Sequence, residues 1–308
     1  MKLQITGNIS CSSSMHRLMK YVIVGLALNS ITSIASAETR AALLIIDVQD
    51  CFLPGGSLPV NHGEVILPVI NSIVKNNTFD VVVFSLDWHP AGHVSFASAH
   101  NRSAFETVTL RYLENGTLCV GDTVTSRAFP DAVNCGDSTT KALQQVVYPD
   151  HCIQNVTTGP TSSLISRDLV RDKDDLNVYK GTMKQIDSYS AFFDNGKFFS
   201  TNLDDELKRR QINTVFVVGF ALDICVFHTS MDAIDLGYTT YVVTDASLGI
   251  DPQQVVSAKE KLTGKGVKLI MHDEIQAVLK DNGCLDTPSL GMTVTLVLLL
   301  TSLQFTLC

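Results

Sequence analysis

The chain has 308 residues and a formal net charge of −8. It is acidic and has no basic run, so its charge gives no reason to expect a nucleic-acid partner. Both ends carry apolar segments typical of processing signals, and we therefore expect only residues 38–282 to fold, as one domain.

The N-terminal segment 1–37 is predicted to be a cleaved secretory signal peptide. Basic residues precede an apolar run over 21–31, and Ala35-Ser36-Ala37 follows it, before the expected cleavage at Glu38. A membrane anchor is the alternative, but the run is shorter than the roughly 20 residues that a membrane-spanning helix needs.

The domain is predicted to be an α/β fold in three layers, with an open, mostly parallel sheet of about six strands and helices on both faces. Apolar runs rich in β-branched residues indicate buried parallel strands, and helical patterns fall between most of them. The predicted strands are 42–46, 81–86, 176–179, 215–220, 240–244 and 267–271. The predicted helices are 65–75, 202–210, 226–236 and 252–262.

Residues 98–147 are predicted to form a long excursion between the second and third strands, because they are polar and have little clean periodicity. Cys119 and Cys135 bracket a turn-rich part of it and are the easiest pair to join by a disulfide. The chain has eight cysteines, which fits an oxidising compartment. Five remain in the domain if Cys284 leaves with the C-terminal segment, so one is expected to be unpaired.

The C-terminal segment 283–308 is predicted to be the removed signal for a GPI lipid anchor, attached at Asn282 or Gly283. Small residues, a polar spacer and an uncharged apolar run form this signature. A transmembrane helix is the alternative, but no basic flank follows the run. Four Asn-x-Ser/Thr sequons favour a glycosylated protein on the outer membrane surface: Asn76, Asn101, Asn115 and Asn155.

Polar or reactive side chains stand where the predicted strands end. Asp47 ends the first strand, Asp87 the second and Lys180 the third. Cys225 opens the helix after the fourth strand. The carboxyl ends of parallel strands meet at the edge of the sheet where open α/β proteins bind ligands. We therefore expect these four residues to share one site.

Cys225 is predicted to be a nucleophile, because a thiol at a helix N-terminus lies at the positive end of the helix dipole, which favours the thiolate. Asp47 is the expected proton carrier, and Lys180 the cation beside it. The backbone N–H groups of Ala221 and Cys225 are candidates for an oxyanion hole. The alternative is a buried structural thiol, with Asp47 capping a turn and Lys180 exposed to solvent.

A metal site is predicted from three potential ligands within seven residues, Asp87, His89 and His93, and from a fourth at His151. A carboxylate with two imidazoles suits Zn²⁺, or Fe²⁺ or Mn²⁺ in a more open geometry. The alternative is that these histidines are polar surface residues of loops.

Five segments in this order resemble the nicotinamidase branch of the isochorismatase-like hydrolases. They are 42–49 with 52–56, 87–97, 148–152, 180–192 and 218–226. The second segment and the part around Tyr189 are fairly specific to nicotinamidases, and wider relatives share the others. The opening segment departs from the family, which usually has Asn-Asp where this chain has Asp50-Cys51.

The resemblance implies hydrolysis of nicotinamide to nicotinate and ammonia through a thioester on Cys225, with Asp47 and Lys180 completing the triad. It implies a divalent metal, zinc first, on Asp87, His89 and His151, with His93 as a weaker ligand. The pyridine ring would lie between aromatic side chains of Phe52, Tyr148 and Tyr189.

The resemblance also implies a cis peptide bond between Phe220 and Ala221. A Cys51–Cys152 disulfide would lie across the same pocket, whereas a Cys51–Cys225 bridge would block the nucleophile. Two rival functions are another isochorismatase-like amidohydrolase and a catalytically weak surface binding protein on the same fold. The metal segment disfavours the first, and the complete triad disfavours the second.

Overall fold

The computed structural model describes residues 39–120, 129, 131–136 and 138–281. The predicted signal peptide, the predicted anchor signal and its attachment residues Asn282 and Gly283 lie outside the described residues. Among the helices that the structure describes, none has the length and apolar character to cross a membrane.

The chain forms ten strands and six α-helices within the described residues. The strands are β1 Ala41–Ile46, β2 Val81–Asp87, β3 Thr107–Tyr112, β4 Leu118–Val120, β5 Val133–Asn134, β6 Lys141–Val146, β7 Leu176–Lys180, β8 Thr214–Gly219, β9 Thr239–Ser247 and β10 Lys268–Ile270. The helices are α1 Leu67–Asn76, α2 Ala97–His100, α3 Leu203–Arg209, α4 Cys225–Asp235, α5 Pro252–Lys265 and α6 Ile275–Asp281. Short 3-10 helices cover Asp50–Phe52, Gly63–Ile66 and His272–Glu274.

Six strands form the predicted parallel sheet, in the order β10-β9-β8-β1-β2-β7. Every pair in it is parallel. All six residues of β1 are buried, which is expected of a central strand covered on both faces. All six predicted strands and all four predicted helices are confirmed, with ends that differ by up to three residues.

The two faces of the sheet pack into two separate hydrophobic clusters, which makes the three predicted layers. Alternate residues of β1 point to opposite faces. Leu43 packs with the buried residues of α1, whereas Leu44 packs with those of α3, α4 and α5.

The excursion at 98–147 is more regular than its sequence suggests. It holds α2 and a second sheet with the strand order β5-β4-β3-β6. Cys119 and Cys135 form the expected disulfide, with their Cα atoms 5.0 Å apart. Leu110, Tyr112 and Leu118 contribute to a small hydrophobic cluster of its own. Strand β6 ends two residues before Tyr148, so the excursion returns the chain, with this side chain, to the main sheet.

The strand order places the carboxyl ends of four strands side by side. β1 lies between β2 and β8, and β7 lies on the other side of β2. Asp47 follows β1, and Asp87 and Lys180 are register partners at the ends of β2 and β7. Cys225 begins the helix after β8.

Candidate active site

Lys180 is the centre of the polar cluster at this edge of the sheet. Its Nζ lies 2.9 Å from Asp47 Oδ2 and 3.4 Å from Cys225 Sγ, and it also makes an ion pair with Asp87. It donates to the Ser188 carbonyl at 3.0 Å. All of these side chains are buried. Burial opposes the charge, but Asp47 and then Asp87 raise the pKa of Lys180 well above its usual value, so the ammonium is retained.

Asp47 turns into the site immediately after β1. Its φ is 51°, a left-handed conformation that is uncommon for a residue with a side chain. Ser85, on the neighbouring β2, donates through its hydroxyl to Asp47 Oδ1 at 2.6 Å. Burial raises the pKa of Asp47 above its usual value, even though the Lys180 charge lowers it. Asp47 is therefore a stronger proton acceptor than a solvated carboxylate.

Cys225 carries a free, buried thiol at the start of α4. Burial raises the pKa of Cys225 well above its usual value, and the Lys180 charge only partly opposes this effect. Burial thus opposes the effect of the helix dipole, and the thiol needs a base to take its proton during the reaction. One atom each of Asp47, Asp87 and Cys225 lie within 4.8 Å of one another, so a base is within reach of the thiol.

The turn before Cys225 contains the expected cis peptide bond between Phe220 and Ala221. Gly219 is required there, because its φ is 113° and a Cβ would lie 2.1 Å from the Ile46 carbonyl oxygen. The backbone N–H groups of Ala221 and Cys225 donate to no other described residue. Both remain available to an oxygen anion of a bound substrate.

Asp87, His89 and His151 present one ligand atom each within 4.8 Å of one another. Asp87 Oδ2 lies 3.4 Å from His89 Nε2 and 3.6 Å from His151 Nε2. Burial raises the pKa of Asp87, but the nearby Lys180 and His89 lower it by a larger amount. The pKa of Asp87 is therefore well below its usual value. This carboxylate is therefore ionised.

The backbone orients both imidazole rings. His89 Nδ1 lies 3.0 Å from the Gly181 carbonyl, and His151 Nδ1 lies 2.7 Å from the Pro149 carbonyl. Because a carbonyl only accepts, each Nδ1 carries a proton and each Nε2 faces Asp87. Burial lowers the pKa of His89, but Asp87 raises it above its usual value, so this Nε2 would release a proton when it binds a cation. A carboxylate and two oriented imidazoles fit a divalent metal ion.

His93 is held away from this ligand set. Its ring stacks on His89 with centroids 4.1 Å apart. Its Nδ1 lies 2.7 Å from the Ser95 hydroxyl and its Nε2 lies 3.2 Å from the Ile186 carbonyl. Burial lowers the pKa of His93 well below its usual value, so the ring is neutral. His93 therefore supports His89 by stacking, and it also belongs to a second possible group of metal ligands with His89 and Asp187.

The three predicted aromatic residues line the pocket together with Asp87, His89, His151, Ala221 and Cys225. Phe52 and Tyr148 lie near His151, with ring centroids 5.6 and 5.9 Å from its ring. Burial raises the pKa of Tyr148 and of Tyr189, so both phenols stay protonated. The pocket therefore has flat apolar walls, with the thiol and the metal ligands among its lining residues.

Three residues that support the site were not assigned a role from the sequence. Ser85 holds Asp47, and Gly181 makes room for His89, since a Cβ on it would lie 2.3 Å from His89 Cε1. Gln145 on β6 donates to Asp187 Oδ2 at 2.9 Å and to the Tyr189 hydroxyl at 3.1 Å. Ser85 is a polar residue inside the apolar run of β2, and this position could have indicated its role. By contrast, nothing in the sequence connects Gln145 with Tyr189.

Cys51 and Cys152 form the disulfide that the resemblance implied, and the blocking bridge to Cys225 is not formed. Asp50 departs from the family pattern, but the segment that follows β1 is still held by hydrogen bonds to β2. The side chain of Gln49 donates to the Asp87 carbonyl at 2.9 Å, and its oxygen accepts from the Asp87 N–H at 2.9 Å. Asp50 itself accepts from the Ser162 hydroxyl at 3.1 Å.

Comparison with known proteins identifies the family of the chain. The isochorismatase domain family matches residues 149–274. A nicotinamidase of Acinetobacter baylyi is 34% identical over 241 residues, which cover 75% of this chain and 92% of that protein.

Two solved structures share the fold. The yeast nicotinamidase bound to the inhibitor nicotinaldehyde has a TM-score of 0.61 and 28% identity, covering 75% of this chain and 99% of that chain. A pyrazinamidase of Pyrococcus horikoshii in complex with zinc has a TM-score of 0.52 and 25% identity, again covering 75% of this chain and 99% of that chain.

Proposed function

The chain belongs to the nicotinamidase family of isochorismatase-domain hydrolases, and we propose that it hydrolyses nicotinamide to nicotinate and ammonia with Cys225 as the nucleophile. One observation carries the proposal. A single buried ammonium, Lys180, contacts the thiol and two carboxylates, and the thiol lines a pocket that also contains a group of metal ligands. A binding protein has no need of such a costly buried arrangement.

The pocket walls orient the substrate. The pyridine ring lies against Phe52, Tyr148 and Tyr189, which places the carboxamide toward Cys225. Asp87, His89 and His151 would hold a divalent cation, which would supply a Lewis-acid contact for the ring nitrogen when bound. We propose zinc, because of this donor set and the zinc in the Pyrococcus relative. Fe²⁺ and Mn²⁺ are the alternatives.

The first half of the reaction forms a thioester. Asp47 takes the proton from the Cys225 thiol as the sulfur attacks the carboxamide carbon. The backbone N–H groups of Ala221 and Cys225 hold the oxygen anion of the tetrahedral intermediate. The proton on Asp47 then passes to the departing nitrogen, the carbon–nitrogen bond breaks, and ammonia leaves.

The second half regenerates the enzyme. Asp47, again a carboxylate, takes a proton from water as the water oxygen attacks the thioester carbon. The carbon–sulfur bond breaks, the Cys225 sulfur takes back the proton from Asp47, and the acid leaves as nicotinate after it loses its remaining proton to solvent. Throughout, the Lys180 ammonium stabilises negative charge on the sulfur and keeps Asp47 in place.

The test is ammonia release from nicotinamide by the purified protein. Cys225→Ala should abolish turnover but retain bound metal, because Cys225 is not part of the ligand group. Normal turnover in that variant would contradict the proposed mechanism. Nicotinamide binding without turnover in the native protein would favour the surface binding protein. Turnover only of other amides would favour a different amidohydrolase.

Removal of the metal with a chelator should lower activity, and re-addition of zinc should restore it.

The protein is further proposed to pass through the secretory pathway to a lipid-anchored position on the cell surface. Two disulfides within the domain support an oxidising compartment. The asparagines of all four sequons are exposed, and so are accessible to glycosylation: Asn76, Asn101, Asn115 and Asn155. Deglycosylation should increase mobility on a gel, and a phosphatidylinositol-specific phospholipase should release the protein from cells. If neither the change in mobility nor the release from cells were observed, the proposed location would be contradicted.

A further inference from the structure

One disulfide lies next to the metal-ligand group. Cys51 and Cys152 are both fully buried, with their Cα atoms 5.5 Å apart. Cys51 precedes Phe52, which lines the pocket, and Cys152 follows His151. The bond therefore joins the pocket wall that follows β1 to the loop that carries one imidazole ligand.

Cys152 also fixes the second imidazole ligand through its backbone. Its carbonyl accepts a hydrogen bond from the His89 N–H at 3.1 Å. The His89 carbonyl in turn accepts one from the Gln154 N–H at 2.9 Å. A displacement of Cys152 would therefore move His89 as well as His151.

The chain around His151 has little secondary structure to hold it. Residues 147–175, between β6 and β7, form only isolated bridges with other segments. Segments of this length without helices or strands are uncommon inside a compact domain, and ordering them costs conformational entropy. Cys152 itself has a φ of 44°, a left-handed conformation that is energetically unfavourable for a residue with a Cβ. A covalent link at this residue opposes both effects.

We propose that the Cys51–Cys152 disulfide is a positioning element of the metal site, which holds His89 and His151 in ligand geometry before the cation binds. Because the loop is ordered in advance, binding does not have to order it, and affinity for the cation is higher. The inference rests on the proposed metal site, but it does not depend on turnover of nicotinamide.

The second disulfide provides a matched control. Cys119 and Cys135 link two parts of the excursion, separated by 16 residues in sequence, whereas Cys51 and Cys152 are separated by 101. Neither Cys119 nor Cys135 lines the pocket or adjoins a ligand. Its removal tests the general effect of losing a disulfide.

The experiment compares zinc affinity in the full chain, measured by competition with a chromophoric chelator and without substrate. The double variant Cys51→Ala/Cys152→Ala should bind zinc about 10- to 100-fold more weakly than the native protein. Cys119→Ala/Cys135→Ala should bind it within about twofold of the native value. Saturating zinc should restore ammonia release to the first variant, which a general loss of structure would not allow.

A second variant covers the case in which Cys51→Ala/Cys152→Ala does not fold. Cys51→Ala/Cys152→Asn places a residue that tolerates the left-handed conformation at the strained position. A folded variant that lacks the bond but binds zinc as tightly as the native protein would overturn the inference. A native protein that binds no zinc would instead overturn the proposed metal site itself.

Discussion

Asp87 and Lys180 face each other as the last residues of two neighbouring parallel strands, and their side chains form an ion pair. The same ammonium pairs with Asp47, which follows the next strand along the sheet. One side chain from the edge strand β7 thus forms ion pairs with carboxylates at the ends of the next two strands. The site combines a metal ligand and a proton carrier without leaving either carboxylate unpaired.

Replacing Lys180 by Met should strongly affect both stability and activity. Two buried carboxylates would lose their cation, which should lower the free energy of unfolding by about 3–5 kcal/mol. Turnover should fall by about 10³-fold or more, because the sulfur loses its stabilising charge. Urea denaturation and ammonia release measure the two effects. Lys197→Met is the control: its pair with Asp232 is half-exposed and should be worth about 1 kcal/mol or less.

Ser85→Ala should lower kcat about tenfold and leave KM nearly unchanged. The hydroxyl of Ser85 orients Asp47 but does not line the pocket, so its loss should affect proton transfer more than substrate binding. Steady-state kinetics separate the two constants. Thr240→Val removes another buried hydroxyl, bonded to the Tyr238 carbonyl at 3.0 Å, and should leave kcat unchanged. An equal loss of kcat in both variants would refute a positioning role for Ser85.

Gly181→Ala should weaken zinc binding by about tenfold or more. The new Cβ would lie 2.3 Å from His89 Cε1, so the ring and its Nε2 must move. Gly237→Ala is a control for backbone strain alone, because Gly237 has a φ of 94° and no atom within 4 Å of an added Cβ. Both variants should lose about 1–2 kcal/mol of stability, but only the first should lose metal affinity. Comparable zinc affinity in the two would contradict the prediction.

Gln145→Ala should raise KM for nicotinamide several-fold. The Gln145 amide supports Tyr189, which lines the pocket, and also Asp187, and without it the aromatic wall gains freedom. Gln144 is the matched neighbour: it is exposed and bonds to Thr109 on the same excursion sheet. Gln144→Ala should leave KM unchanged, and a rise in both variants would assign the effect to the excursion sheet as a whole.

The main sheet and the predicted catalytic cluster could be predicted because buried parallel strands produce distinct apolar runs. Each run ends at the residue that faces the ligand edge, so Asp47, Asp87 and Lys180 were identifiable from their position alone. Their contacts depend on the strand order, which the sequence did not predict and which the structure shows to be β10-β9-β8-β1-β2-β7.

Other features depend on three-dimensional contacts that no local pattern records. Strands β5 and β6 of the excursion are short or largely exposed and lack a clear alternation. Strand β3 does alternate polar and apolar residues, and this signal at 107–112 was missed. The raised pKa of Cys225 depends on burial by side chains that are distant in sequence, whereas the helix start beside it is visible in the sequence. The role of Gln145 depends on β6, and β6 was not predicted.

Because of the strand register, turnover measures the fraction of molecules in which the main sheet is correctly formed. β1 is aligned with β2 and β8 residue by residue, and a slip of one position would turn Asp47 to the opposite side of the sheet. Partly assembled molecules should therefore contribute no turnover at all. Substitutions at the distant amino ends of these strands should reduce the fraction of competent molecules in a preparation, while each competent molecule works at the native rate.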